Sequence, residues 1–211
     1  MKSTGNDIVD LTRVDPERTN NPRFYSQILS TSEQTQYQRP QISKIPFTVY
    51  VWLLWSAKES AYKYLQRLDP GLIFGPTKIQ VSDIETSTFD VDHWEGEGDY
   101  DTYQGKVSYL ADALYFRSKI SEQLVVTVVN DRDNFDNVHC GIKQIPNPDN
   151  ATRSSEARAL LLQKLSAFYP GKLQIIKTDS GCPVVLQDGE ELPVPVSLAH
   201  DGGWVGYSVS V

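Results

Sequence analysis

Apolar positions in this 211-residue chain are densest between Pro46 and Leu68, PFTVYVWLLWSAKESAYKYLQRL, with no Gly and no further Pro until Asp69-Pro70-Gly71. Val49, Trp52, Leu53 and Ser56 trace one face at helical spacing, and Ala57, Ala61 and Leu65 continue a neighbouring one, which predicts a core helix. Pro46 suits its first turn, where a missing N–H costs nothing, and Pro70-Gly71 stops it. Glu59 and Lys63 are four residues apart and project from one face. Taken alone they are an ordinary surface ion pair, worth about 0.2–0.5 kcal/mol.

The pattern elsewhere is shorter. Thr4 to Leu11 predicts a strand with Ile8 and Val9 as its β-branched residues, and Asp7 lies inside it. A carboxylate there needs a cation or hydrogen bonds, unless Asp7 only caps a turn after Gly5-Asn6. Residues 14–23 are polar and turn-rich, a predicted loop. Ser30 to Glu33 is a capping box opening a short helix, and Lys78 to Val81 alternates as a strand. Residues 85–105 hold ten Asp, Glu and Gly among twenty-one and predict a surface loop or irregular hairpin, with no calcium-type ladder of ligands. Leu124 to Val129 is a buried strand. Asn130 to Asn150, rich in Asp, Asn and Pro, marks a boundary, giving halves at 1–135 and 136–211. The second half offers a helix over Ser155 to Phe168, then strands at Leu173–Lys177, Val184–Leu186, Val194–Leu198 and Trp204–Val211. The expectation is an α+β fold of two similar halves, a pseudo-duplication, each a long helix packed on a small antiparallel sheet.

Composition narrows the function. A hydrophobic share of 39% is that of a globular chain with a real core. No charged-then-apolar leader or apolar run of membrane-spanning length is evident, so a soluble cytoplasmic protein without membrane contact is expected. Cys140 and Cys182 suggest neither a disulfide framework nor a zinc site. Net charge is −7, yet residues 1–67 carry nine Lys and Arg against six Asp and Glu, while the remainder carries eleven against twenty-one. That balance disfavours nucleic acid and suits a specific anionic partner near the first residues.

Three separated pieces share one chemical theme. Asp7 on a strand and Glu59 on a helix are a carboxylate pair suited to Mg²⁺, which one or two acids hold beside waters and phosphate. Lys63 and His200 would neutralise phosphate oxygens beside it. The pieces read GNDIVDLTR, KESAYK and SLAH. In wording and order they resemble motifs of the 4′-phosphopantetheinyl transferase superfamily. Its short trimeric branch, the holo-acyl-carrier-protein synthases, has G-x-D-I-V-x-(I/L)-x-R, K-E-(S/A)-x-x-K and S-x-S-H. The passage from Ser180-Gly181-Cys182-Pro183 to Trp204-Val205 is similar to one in the longer, monomeric surfactin-synthetase-activating type. Together the resemblance covers residues 5–82 and 179–211.

The resemblance implies that Asp7 and Glu59 ligate Mg²⁺, with Mn²⁺ an open substitute. It implies that Lys63 contacts the diphosphate of coenzyme A, His200 and Ser197 belong to the coenzyme A turn, and Lys58 is the lysine of the helix motif. Arg13 falls on a carrier-protein contact, with Arg18, Arg23 and Lys44 as further docking candidates. Two departures stand out: Val9 replaces a second acid found in the longer branch, and Ala199 replaces the serine before the histidine. The implied activity moves phosphopantetheine from coenzyme A to a serine of an acyl or peptidyl carrier protein, releasing adenosine 3′,5′-bisphosphate. Asp7, Glu59 and Lys63 would be its catalytic residues, with Glu59, directly or through a water, taking the serine proton. One site across both halves of a monomer is expected. A silent homologue that only binds carrier protein or coenzyme A is the alternative, and a metal-dependent phosphohydrolase a third reading.

Overall fold

A computed structural model describes residues 3–42, 44–87, 94–95, 98–146 and 149–211. The chain opens with β1 (Gly5–Asp10) and the short helices α1 (Pro16–Thr19), α2 (Pro22–Tyr25) and α3 (Thr31–Gln36), followed by the long α4 (Phe47–Leu68). Strands β2 (Gln80–Thr86), β3 (Trp94–Glu95), β4 (Asp101–Tyr109), β5 (Asp112–Ile120), β6 (Leu124–Asn130) and β7 (Val138–Gln144) come next. Helix α5 (Asn150–Leu165) then precedes β8 (Leu173–Lys177), β9 (Pro183–Gln187), β10 (Glu190–Leu192), β11 (Val196–Asp201) and β12 (Trp204–Ser210). The fold is α+β. Its strands form a five-stranded sheet in the order β1-β6-β5-β4-β2, a four-stranded sheet β11-β12-β7-β3 and a three-stranded sheet β10-β9-β8.

Strands β1 and β6 are buried along their whole length because both faces are covered. Val9, Val125 and Val129 join the core beneath α4, whereas Ile8, Leu124, Val126 and Val128 face Val138, Cys140 and Ala199 of the four-stranded sheet. The period-two alternation of each strand thus feeds two cores at once. Helix α4 buries Tyr50, Val51, Leu53, Leu54, Ala57, Ala61, Tyr64 and Leu65 against the five-stranded sheet. Each large apolar side chain among them contributes roughly 1.5–3 kcal/mol. Gly5 permits this contact: a Cβ there would overlap the Ser60 carbonyl oxygen and lie 2.9 Å from Tyr64 N, so the helix backbone rests directly on β1.

The outer edge of β1 meets β11 through side chains rather than a backbone ladder. Asn6 N donates to Ser197 Oγ at 3.2 Å, Asp10 N donates to Asp201 Oδ2 at 2.9 Å, and Gly203 N donates to Asp10 Oδ2 at 3.2 Å. At the far end of α4, Arg67 Nη2 donates to the carbonyls of Pro183 and Val196 at 2.6 and 2.7 Å. Later strands are thereby clamped to both β1 and α4.

Several local expectations change. Residues 14–23 hold α1 and the start of α2 within the expected loop, because Asp15-Pro16 and Asn21-Pro22 each supply a capping side chain followed by a first-turn proline. Within 85–105, β2 continues to Thr86 and β4 starts at Asp101; residues 88–93 and 96–97 of that expected loop lie outside the described residues. The stretch 130–150 contains β7, whose Val138, His139 and Cys140 are buried. Strand β3, at residues 94–95, pairs in parallel with β7, so the four-stranded sheet takes strands from both sides of residue 135. Helix α5 begins at Asn150, where Asp149 accepts from Thr152 N. Among the described residues no helix is long and apolar enough to cross a membrane.

Candidate active site

Because β1 and α4 touch at Gly5, Asp7 faces the next turn of the helix. Lys63 Nζ donates to Asp7 Oδ1 and to the Asn6 carbonyl, both at 3.0 Å. Asp7 Oδ2 is buried without a hydrogen-bond partner. Burial pushes the Asp7 carboxyl above its ordinary value, and the adjacent Lys63 opposes that rise. Glu59, one turn before Lys63, is pushed up by burial, drawn down by Lys63 and pushed up again by the charge of Asp7. The Asp7 charge therefore raises the cost of ionising Glu59, an electrostatic condition that a divalent cation relieves. Among the described residues no three His, Cys, Asp or Glu converge, so the set is two acids. Two acids with an unfilled buried oxygen fit a hard, oxygen-seeking ion completed by water and phosphate.

Glu59, Tyr62, Lys63, Gln66 and Arg67 form one wall of a cleft of about 170 Å³; Gly181, Cys182, Pro183, Val196, Ser197 and Leu198 form the other. His200 is exposed on β11, two residues beyond Leu198 and hence on the same strand face. Its pKa is lowered by partial burial, then by Arg153, with smaller contributions from Lys63 and Lys177. A cationic field thus surrounds a histidine that stays neutral more readily than usual. Arg153, held by Gly202 O at 3.1 Å and by Asn150, was not among the residues expected from sequence, since nothing in its helical surroundings marks it. Ser197 lines the cleft, but its hydroxyl already serves the Asn6 amide as a link between β11 and β1.

Lys58, expected beside coenzyme A, lies away from this cleft. It projects about 100° round the helix from Glu59 and is fully buried. Its ammonium donates to Ile28 O and Glu33 Oε2, each at 2.7 Å. Glu33 also accepts from Ser30 N at 2.7 Å and, through Oε1, from Val81 N at 2.7 Å, so this buried ion joins α3, α4 and β2. No atom of Lys58 faces the cleft in this structure.

A second cleft of about 600 Å³ opens beyond the end of β1 and is lined by Val9, Asp10, Arg13, Arg18, Trp52 and Trp55, among others. Arg13 lies 3.8 Å from Asp201, and the Arg18 guanidinium sits over Phe24 at 4.8 Å. Arg23 and Lys44 do not line this cleft; Lys44 borders a separate one with Pro46 and Tyr103. Half-buried aromatic rings connect the two regions along α4. Phe24–Trp52 and Trp52–Trp55 are each 6.0 Å apart, Trp55–Phe74 5.4 Å and Phe74–Tyr62 5.1 Å. Glu59 lies between Trp55 and Tyr62 in sequence and on their side of the helix.

A family model described as the 4′-phosphopantetheinyl transferase superfamily matches residues 3–129, and the chain belongs to that superfamily. The match takes in Asp7, Arg13, Lys58, Glu59 and Lys63; Ser197 and His200 lie beyond it. No curated protein matches the chain.

Proposed function

We propose that this chain transfers the phosphopantetheine arm of coenzyme A to a serine of an acyl or peptidyl carrier protein. The observation that carries the reading is the placing of Glu59 and Lys63 on the wall of the cleft between α4 and β11, with Asp7 bonded to Lys63 and its charge felt by Glu59. Asp7 and Glu59 would hold Mg²⁺ or Mn²⁺, which when bound supplies positive charge to the diphosphate oxygens. The cleft and the cations around His200 suit the anionic groups of coenzyme A. In the reaction the carrier serine oxygen forms a bond to the β-phosphorus of the diphosphate. The bond from that phosphorus to the bridging oxygen breaks, and adenosine 3′,5′-bisphosphate leaves with the electron pair. Glu59, made more basic by burial and by Asp7, accepts the serine proton. Lys63 supplies a proton and a charge to the leaving phosphate from the cleft wall.

An acidic helical carrier fits the second cleft, where Arg13 and Arg18 flank the apolar rings of Trp52 and Trp55. The aromatic row from there towards Glu59 gives the target serine an apolar approach. The site is built from residues 1–135 and 136–211 of one chain, acting as a monomer. The testing assay measures adenosine 3′,5′-bisphosphate from coenzyme A and Mg²⁺ with and without an apo carrier protein. Release only with carrier supports transfer; release without it identifies a phosphohydrolase, and none under either condition leaves a binding protein.

A further inference from the structure

Ser56 lies one turn before Glu59 on α4 and is fully buried. Its Oγ has no hydrogen-bond partner, although a serine within a helix ordinarily turns to the carbonyl four residues back. Asp7 Oδ2, on the strand against which this helix packs, is equally unpartnered. Left so, each group has given up its hydrogen bonds to water without replacement. One is a hydroxyl whose proton can rotate; the other can only accept. Ser56 lies seven residues, about two turns, before Lys63 and so on the helix face that bonds Asp7.

We propose that Ser56 is a positioning residue whose hydroxyl donates to Asp7 Oδ2, fixing that carboxylate between β1 and α4 so that it closes on a divalent cation together with Glu59. A carboxylate has about four acceptor sites, so bonds from Lys63 and Ser56 leave room for the ion. The inference rests on the reading of Asp7 and Glu59 as cation ligands. Its residue type also explains the burial: at this position a methyl group would pack at least as well as an unpaired hydroxyl.

The test is Mn²⁺ binding to the full chain without coenzyme A, followed by the electron paramagnetic resonance signal of free Mn²⁺, with thermal unfolding of metal-free protein in parallel. Ser56→Ala is expected to bind Mn²⁺ about tenfold or more weakly, as loss of a group orienting a ligand does, while its metal-free unfolding temperature falls only modestly, by the loss of one hydrogen bond. Ser56→Thr, which keeps the hydroxyl, should recover most of the lost affinity. Should Ser56→Ala fail to fold, Ser56→Cys carries the same test, since a thiol fills the space but donates weakly. Wild-type affinity in the Ala or Cys variant, beside a Glu59→Gln control that has lost it, overturns the role of Ser56 alone. Wild-type protein that takes up no Mn²⁺ overturns the cation reading and this inference with it.

Discussion

Replacing Lys58 by Met separates a structural ion from a ligand contact. The Lys58 ammonium makes two bonds of 2.7 Å, to Ile28 O and Glu33 Oε2, with no exposed surface. Met keeps the apolar stem but strands a carboxylate whose remaining donors are Ser30 N, Ser30 Oγ and Val81 N. Removing one partner of a buried pair costs about 3–5 kcal/mol, which agrees with two charge-assisted bonds at about 1.5–3 kcal/mol each. The three surviving donors to Glu33 put the expectation at the lower end, about 3 kcal/mol. In a chain of this size that corresponds to a fall in unfolding temperature of about 6–12 °C. Urea denaturation measures the loss, and a coenzyme A titration of the folded protein shows whether the cleft has changed. Adding Glu33→Gln should restore part of the stability by removing the stranded charge. A loss below about 1 kcal/mol, accompanied by a large rise in KM for coenzyme A, would refute the reasoning and return Lys58 to the cleft.

Other expectations follow from the same contacts. Glu59 is raised above its ordinary value, so the folded state binds its proton more tightly than the unfolded chain does. Metal-free stability should be greatest below that ordinary value and decline as pH rises towards the raised one; Glu59→Gln should flatten this decline in unfolding scans from about pH 4 to 7 and be the more stable protein at about pH 7. Gly5→Ala forces a Cβ into the Ser60 carbonyl and should cost about 1–3 kcal/mol or more while lowering transfer about 100-fold by moving Lys63 away from Asp7. Denaturation and kcat measured together distinguish this from a simple loss of folded protein. Arg18→Glu should raise KM for the carrier protein about five- to tenfold with weaker salt dependence, leaving KM for coenzyme A unchanged. An equal rise in both constants would count against the second cleft as the carrier dock.

The elements visible in the sequence are those whose pattern is local. Helix α4 announced itself by spacing and by Pro46 and Pro70, and α3 by its capping box, with Ser30 and Glu33 bonded reciprocally. Strand β4 was hidden because its acids and glycines suggested a loop, yet alternation buries Tyr103 and Val107 while Asp101 and Lys106 face water. Strand β7 was hidden by the polar residues flanking it. Short helices α1 and α2 are legible in Asp15-Pro16 and Asn21-Pro22 when the capping side chain and the first-turn proline are taken together. At the candidate site, the helical spacing of Glu59 and Lys63 gave their common face, and Ser56 was open to the same reasoning as Glu59 minus three. What spacing could not reveal was which side of α4 meets β1, and so the burial of Lys58 beside Glu33. Nor could it foresee Arg153 beside Gly202, a contact across forty-nine residues that depends on how α5 lies on β11 and β12.

The most direct measurement is the intact mass of an apo acyl carrier protein after incubation with this chain, coenzyme A and Mg²⁺, beside the Glu59→Gln variant. Transfer predicts a gain of one phosphopantetheine arm with wild type and none with the variant. An unchanged mass across acyl and peptidyl carriers, while coenzyme A still binds, would contradict the transferase account.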